Sequence, residues 1–263
     1  MSVNSYLVEL SSSLVLTQAE QSKISTSITN MNSKLKSYFQ REIVDQFKFG
    51  SMTRGTILPR KADEGSDVDY MIVFNSSSEK LKPQTYLNKL KSFVESSYSS
   101  SEVHQSTPTI ILELTHIKFD LVPALNLLGP AYQIPSPAAS WQDWVYTNPT
   151  ESNNKLTSAN QYNNNQIKPL VRLVKYWNAL NGKHFGSFSL EEFICSLAFL
   201  GCVSIKDYFF RYWESFSCNH STPQHIKDKV QRSKTRVQKI KDLESSGQPL
   251  AAENEIIAML PRL

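Results

Sequence analysis

The spacing of hydrophobic residues changes along the chain, and the changes predict where helices and strands lie. Over roughly the first 40 residues, hydrophobic side chains recur every three or four positions, which predicts a long N-terminal helix. Val68, Tyr70, Ile72 and Phe74 are then spaced by two, which is typical of a strand with one buried face. A loop containing glycine and proline, residues 50–66, precedes that strand.

Two β-rich segments farther along, Thr109–Leu114 and Ile117–Val122, are nearly continuous. Only a short segment around Thr115 separates them, so they predict an antiparallel hairpin with a tight turn. A helical spacing over residues 84–98 predicts a helix between the first strand and this hairpin.

Residues 129–157 lack a clear period and predict a loop-rich connector. Its prolines and tryptophans are Pro130, Pro135, Pro137, Pro149, Trp141 and Trp144. The rest is helical in pattern, with helices predicted at about residues 160–181, 189–203, 206–216, 224–244 and 250–260. We therefore expect an α+β protein in two lobes. Residues 1–150 would form a lobe with a small mixed or antiparallel sheet, packed on a helical lobe of residues 151–263 across a cleft.

Composition narrows the class of protein. The chain has 263 residues, of which 40% are hydrophobic and 20% charged, and this excludes collagen-like, disordered and disulfide-scaffold classes. A net charge of +4 is too small to predict tight nonspecific binding to duplex nucleic acid. Three cysteines, no secretory signal and no apolar run of about 18 residues predict a cytoplasmic protein with no membrane partner.

Three aspartates are the candidate catalytic and metal-binding residues. Asp67 and Asp69 stand two apart on a predicted strand, so both carboxylates face one side of it. Asp120 lies in the other β-rich segment, where an unpaired buried carboxylate would be costly. If the two strands are neighbours, the three carboxylates converge. They can then hold two Mg²⁺ ions roughly 4 Å apart for in-line phosphoryl or nucleotidyl transfer.

Gly50 and Ser51 precede this strand and are candidate nucleotide-binding residues. Glycine lets the backbone approach a phosphate, and adjacent N–H groups with a serine hydroxyl can bind its oxygens. A Gly-Ser pair alone is a weak signal, but one followed by Asp-x-Asp on a strand and a later strand Asp is a strong one.

This order of residues resembles the signature of the DNA polymerase β-like nucleotidyltransferase superfamily. The segments LVRLVKYWN and SFSLE in the helical half resemble its template-independent branch. The whole order most resembles the bacterial cGAS/DncV-like nucleotidyltransferases, which make second messengers in anti-phage defence. The resemblance covers roughly residues 45–200 well.

The resemblance implies a mechanism and further site residues. By motif, Lys175 contacts the donor triphosphate, Ser187 contacts phosphate, and Phe188 stacks on the donor base. The enzyme would use two Mg²⁺ ions, replaceable by Mn²⁺, to join NTPs with release of pyrophosphate. ATP is the expected substrate, with GTP or pyrimidine nucleotides as alternatives. The product would be a cyclic di- or trinucleotide that acts on a separate effector protein.

Alternatives stay open at this point. The chain could extend an RNA 3′ end, as CCA- and poly(A)-adding enzymes do, or be an inactive nucleotide-binding sensor. Lys175 could be a solvated helix lysine and Phe188 a core residue. The Lys/Arg-rich pattern at residues 227–241 is more typical of the solvent-exposed face of an amphipathic helix than of an RNA-binding surface. We therefore expect no strong nucleic-acid binding, and an activating RNA is the alternative.

Overall fold

A computed structural model describes residues 2–75, 81–106, 108–126, 129–136 and 143–263. Its helices are α1 (Val3–Ser13), α2 (Gln18–Phe39), α3 (Gly50–Arg54), α4 (Pro83–Ser97), α5 (Pro149–Tyr162), α6 (Ile167–Leu180), α7 (Ser187–Ser196), α8 (Ile205–Ser215), α9 (Gln224–Ser245) and α10 (Pro249–Met259). Its strands are β1 (Ile43–Lys48), β2 (Asp67–Phe74), β3 (Glu102–Ser106), β4 (Thr109–Glu113), β5 (Lys118–Asn126), β6 (Tyr132–Pro135) and β7 (Trp144–Thr147). Pro137 and Trp141 of the predicted connector lie outside the described residues.

The chain divides into two compact units. The sheet unit comprises Leu16–Arg60 and Gly65–Asn154, and the helical unit comprises the residues up to Val15, Lys61–Glu64 and Lys155–Leu263. Helix α1 thus groups with the C-terminal helices and not with the sheet, unlike in the predicted lobe of residues 1–150. The Tyr6 hydroxyl donates a hydrogen bond to the carbonyl of Leu260, which ties α1 to the segment after α10.

The N-terminal hydrophobic stripe forms two helices where one was predicted. Helix α1 ends at Ser13 and α2 begins at Gln18. The break has a local cause, because Thr17 and Glu20 form a capping box that starts a new helix. The stripe continues across the break, which is why spacing alone did not reveal it.

The sheet unit contains a mixed sheet in the order β1-β2-β5-β4-β3, with β6 paired to β5 and β7 to β6. Strands β2 and β5 run parallel, and the other pairs are antiparallel. The α+β class and the small mixed sheet are confirmed. The predicted hairpin is β4-β5, whose turn is closed by a hydrogen bond from Leu114 N to Ile117 O at 2.9 Å.

The two faces of the sheet have different surroundings. On one face, alternate residues of β2 and β5, such as Val68, Tyr70, Phe119 and Leu121, are buried in one core with apolar residues of α2 and α4. The other residues of these strands point to the opposite face, where Met71, Val73 and Ala124 form a smaller cluster. Asp67 and Asp69 share this second face, since the side-chain period is two.

Two predicted boundaries differ from the structure for local reasons. The helix predicted over about residues 160–181 begins later, as α6 at Ile167, because Asn164 and Asn165 adopt left-handed backbone conformations with φ of 51° and 60°. Residues 149–157, predicted as part of the connector, instead form most of α5, which ends at Tyr162. The connector contains two short strands, β6 and β7, of four residues each. Such strands are too short to display a period.

In the part of the chain that the structure describes, no helix combines the length and apolar character needed to cross a membrane.

Prediction on core packing. Leu87 in α4 is fully buried in the sheet unit's main core, whereas Leu250 at the start of α10 is 72% exposed. Leu87→Ala leaves a cavity and should lower the free energy of unfolding by about 2–5 kcal/mol. Leu250→Ala makes the same chemical change on the surface and should stay within about 0.5 kcal/mol of wild type. Urea unfolding followed by circular dichroism measures both. Equal losses would contradict the assigned core.

Candidate active site

The three predicted aspartates of the sheet unit lie together on one face. In the parallel pairing of β2 with β5, Asp69 stands opposite Asp120 and Asp67 stands opposite Lys118. Neighbouring strands lie about 4.8 Å apart, so these four side chains form a two-by-two block of charge. The predicted neighbourhood of the two strands is therefore confirmed, and Lys118 lies beside two of the three carboxylates, those of Asp67 and Asp120.

Lys118 was missed by the sequence analysis. Its Nζ lies 3.3 Å from Asp67 Oδ2 and 3.8 Å from Asp120 Oδ1, with its side chain 19% exposed. Burial alone would lower the pKa of Lys118, but the charges of Asp120 and Asp67 outweigh it and raise this pKa above its ordinary value. The signal was present in the sequence, because Lys118 precedes Asp120 by two and so shares its face of the strand.

The size of the electrostatic energies explains why a charged lysine is stable between Asp67 and Asp120. Two unit charges 4 Å apart interact by about 4 kcal/mol at an effective dielectric constant near 20, which suits a partly buried site. The ammonium has two such attractions, one to Asp67 and one to Asp120. They are of the same size as the repulsion between neighbouring carboxylates and have the opposite sign, so the lysine offsets the repulsion.

Gly50 lies against the carboxylate of Asp69. Phe49 N donates a hydrogen bond to Asp69 O at 3.0 Å, which holds the start of α3 beside β2. A Cβ at Gly50 would lie 1.8 Å from Asp69 Oδ2, and the φ of Gly50 is +67°. Both facts require glycine at this position. Ser51 is half-buried, and its carbonyl accepts from Thr56 N at 3.0 Å, which closes the turn after α3.

The donor set suits a hard divalent cation. Carboxylate oxygens are the ligands that Mg²⁺ prefers, and an ammonium already occupies a cation position between Asp67 and Asp120. As the side chains stand, no group of three acidic, histidine or cysteine residues within the described ranges could hold a metal ion. The carboxylate ligands therefore fit Mg²⁺, but the Lys118 ammonium lies between Asp67 and Asp120, two of the residues that would bind the ion.

Lys175 of the helical unit is buried, with 7% of its side chain exposed, and this excludes a solvated helix lysine. Its Nζ lies 3.7 Å from Oε1 of Glu191 on α7, which is also buried. A buried ammonium needs such a counter-charge, because leaving either group uncompensated is strongly destabilising. Glu191 was also missed by the sequence analysis. Its burial depends on how α6 and α7 pack, which no spacing in the sequence reveals.

The loop that leads to Ser187 and Phe188 is held by one amide. Asn178 Nδ2 donates to Phe185 O at 2.7 Å, and Phe185 N donates to Asn178 Oδ1 at 3.2 Å. Two residues on, Ser187 begins α7 half-buried, and Phe188 is 51% exposed. That exposure excludes the alternative of Phe188 as a core residue. Contact of Phe188, Ser187 or Lys175 with a nucleotide stays a prediction.

Comparisons with known proteins agree on one family. The sequence profile described as "Second Messenger Oligonucleotide or Dinucleotide Synthetase domain" matches residues 1–160. A curated relative from Bacillus cereus (strain VD146), a "probable cyclic nucleotide synthase", is 31% identical over 104 residues. That match spans 37% of this chain and 30% of the relative's length.

Solved structures share the fold over nearly the whole chain. E. coli MS115-1 CdnC, solved with ATP, is similar with a TM-score of 0.72 and 14% identity, over 99% of this chain and 97% of that chain. Bradyrhizobium diazoefficiens CdnG, a CD-NTase in complex with GTP, has a TM-score of 0.72 and 12% identity, over 96% of both chains. At these identities the likeness shows the fold alone.

Prediction on the glycine beside Asp69. Gly50→Ala must both strain the backbone and displace the Asp69 carboxylate, whereas Gly55, with φ of +71°, has no atom within 4 Å of an added Cβ. Gly55→Ala should therefore cost about 1 kcal/mol of unfolding free energy, which is the backbone cost alone. Gly50→Ala should cost about 2–4 kcal/mol, because overpacking adds to it. Thermal and urea unfolding compare the two variants. A Gly50→Ala protein as stable as Gly55→Ala would refute the close contact.

Proposed function

The chain belongs to the family of second messenger oligonucleotide or dinucleotide synthetase domains, a family of nucleotidyltransferases, and we propose that it is an active, Mg²⁺-dependent member. It would join NTPs with release of pyrophosphate and close a cyclic di- or trinucleotide. The observation that carries the proposal is the placement of Asp67, Asp69 and Asp120 on one face of two adjacent parallel strands, beside Gly50. An inactive sensor of the same fold would not need all three carboxylates there.

Asp67, Asp69 and Asp120 would hold two Mg²⁺ ions, for which Mn²⁺ can substitute. When bound, such ions lower the pKa of an attacking hydroxyl and neutralise charge on a triphosphate and its pyrophosphate leaving group. The backbone of Gly50 and Ser51 would bind phosphate oxygens, since Gly50 brings the main chain close to Asp69 without a side chain between them.

The helical unit would supply the donor-nucleotide contacts. Lys175, oriented by Glu191, would meet the triphosphate, and Ser187 would donate its hydroxyl to a phosphate. The half-exposed ring of Phe188 would stack on the base. Asn178 positions this segment by fixing Phe185.

NTPs are the proposed substrates, ATP first, with GTP or pyrimidine nucleotides as alternatives. The ATP and GTP in the similar CdnC and CdnG structures support this choice. The linkage would be 3′ to 5′ or 2′ to 5′. The product would act on a separate effector protein in anti-phage defence of the CBASS type, in line with the second-messenger description of the family.

Prediction on the carboxylates. Asp67→Asn should abolish pyrophosphate release, because it removes a charged metal ligand while keeping the shape of the side chain. Asp228→Asn, on the exposed face of α9, makes the same change elsewhere and should keep wild-type activity. The assay incubates each radiolabelled NTP with Mg²⁺, then digests products with phosphatase and nuclease P1. Wild-type turnover in EDTA, or near-normal turnover of Asp67→Asn, would refute the assignment.

The same assay separates the proposed substrate class from its alternative. Product should form from free NTPs without tRNA or an oligonucleotide primer. A protein that is silent on NTPs but extends a tRNA lacking its 3′ end would instead be an RNA 3′-end nucleotidyltransferase.

Prediction on the donor base. Phe188→Ala should remove about 1–3 kcal/mol of stacking, which is roughly a 5- to 150-fold loss of nucleotide affinity. Its melting temperature should barely change, because the ring is 51% exposed. Phe188→Tyr keeps the stacking surface and should bind like wild type. Nucleotide titration alongside thermal melting tests both variants. Normal nucleotide binding by Phe188→Ala would contradict the stacking role.

A further inference from the structure

The Lys118 ammonium lies between two of the carboxylates that would hold a metal ion in the proposed function. Its Nζ is within 4 Å of carboxylate oxygens of both Asp67 and Asp120, at 3.3 Å and 3.8 Å. The two acids belong to different strands, so the lysine bridges β2 and β5. One ammonium and three ionised carboxylates leave the block with net negative charge. A further cation is therefore attracted to a position that Lys118 partly fills.

A second acceptor for Lys118 lies on the neighbouring strand. In the antiparallel pairing of β4 with β5, Glu113 stands directly opposite Lys118. Directly opposed residues in such a pair share one face of the sheet, so the Glu113 carboxylate lies on the side of Lys118 away from Asp67. Glu113 is held by Arg60, at 2.7 Å. A lysine side chain has four rotatable bonds and can turn from one set of carboxylates to the other.

From this arrangement we infer that Lys118 is a built-in counterion of the metal site. With no divalent ion bound, its ammonium offsets the repulsion between Asp67 and Asp120. A divalent ion displaces it, and the ammonium then moves to Glu113. This inference rests on the proposed metal-dependent function, and it concerns a residue that the three-carboxylate signature does not include.

Displacement has a measurable consequence. Each metal ion must compete with a cation that is covalently part of the site, so Lys118 weakens the apparent affinity for metal. The same lysine stabilises the metal-free protein, because without it the carboxylates repel one another uncompensated. Replacing Lys118 with a neutral side chain should therefore change metal affinity and metal-free stability in opposite directions.

The test measures Mn²⁺ binding to the full chain by the EPR signal of free Mn²⁺, without nucleotide. Lys118→Met should bind Mn²⁺ about tenfold more tightly than wild type, from the loss of one nearby positive charge. Without metal it should melt about 2–4 °C lower. Lys48→Met is the matched control, because Lys48 stands opposite Tyr70 and so belongs to the other face of the sheet. It should leave the Mn²⁺ affinity unchanged.

Glu113→Gln tests the second position of the lysine. It should weaken Mn²⁺ binding in the wild-type background, because the displaced ammonium loses its acceptor. In the Lys118→Met background it should have no such effect, since there is no ammonium to receive. An equal effect in both backgrounds would show that Glu113 acts only as a distant charge, and would overturn its role as the acceptor.

The outcomes separate this inference from the proposed function. If Asp67→Asn loses Mn²⁺ binding but Lys118→Met binds no tighter than wild type, the counterion role is overturned and the metal site stands. If wild type and Asp67→Asn bind Mn²⁺ equally, the metal site itself is refuted. Lys118→Arg provides a second test in case the Lys118→Met protein does not fold. It keeps the positive charge, so it should bind Mn²⁺ no tighter than wild type, and tighter binding would contradict the inference.

Discussion

The parallel register between β2 and β5 is the constraint on which the site depends. It places Asp69 opposite Asp120 and Lys118 opposite Asp67, and every contact of the charged block follows from it. A slip of one residue would turn Asp120 toward the face packed against α2 and α4, where its neighbours would be aromatic and aliphatic. The register is specified by that same packing, because Val68, Tyr70, Phe119 and Leu121 must all face the core. Burial on one face of the sheet therefore positions the chemistry on the other.

Three local features accommodate the negative charge on that face, one by compensating it, one by making room for it and one by limiting its extent. The ammonium of Lys118 bridges two of the acids. The missing side chain at Gly50 makes room for the third carboxylate. The apolar residues Met71, Val73 and Ala124 take over farther along the same strands, so the charge is confined to one end of the face. In the helical unit, the buried ammonium of Lys175 is likewise compensated by an opposite charge, the carboxylate of Glu191.

The sequence was most informative where one physical period dominates. Strand β2, which carries Asp67 and Asp69, and the β4-β5 hairpin, which carries Asp120, could be predicted because the alternation of buried and exposed residues is a local property of the chain. Lys118 could have been found by the same rule. The pairing of β2 with β5 could be stated only as a condition, because some 40 residues separate the two strands and pairing over that distance depends on tertiary packing. The buried state of Lys175 and the exposure of Phe188 likewise depend on how helices pack. The break between α1 and α2 was locally encoded by Thr17 and Glu20 but masked by a continuous hydrophobic stripe.

The grouping of α1 with the C-terminal helices bears on how the protein is made. Helix α1 is synthesised before the sheet unit, and α10 after it, yet Tyr6 of α1 bonds to Leu260 beyond α10. At about 5–20 residues per second, a ribosome needs more than ten seconds to pass from one to the other. Over that interval the apolar face of α1, which includes Leu7 and Leu10, lacks its final partners. The sheet unit can complete its core before α10 has been synthesised. Folding of the nascent chain would then begin with the sheet unit and end with the helical unit. Until that last step the apolar face of α1 is exposed and can be bound by chaperones.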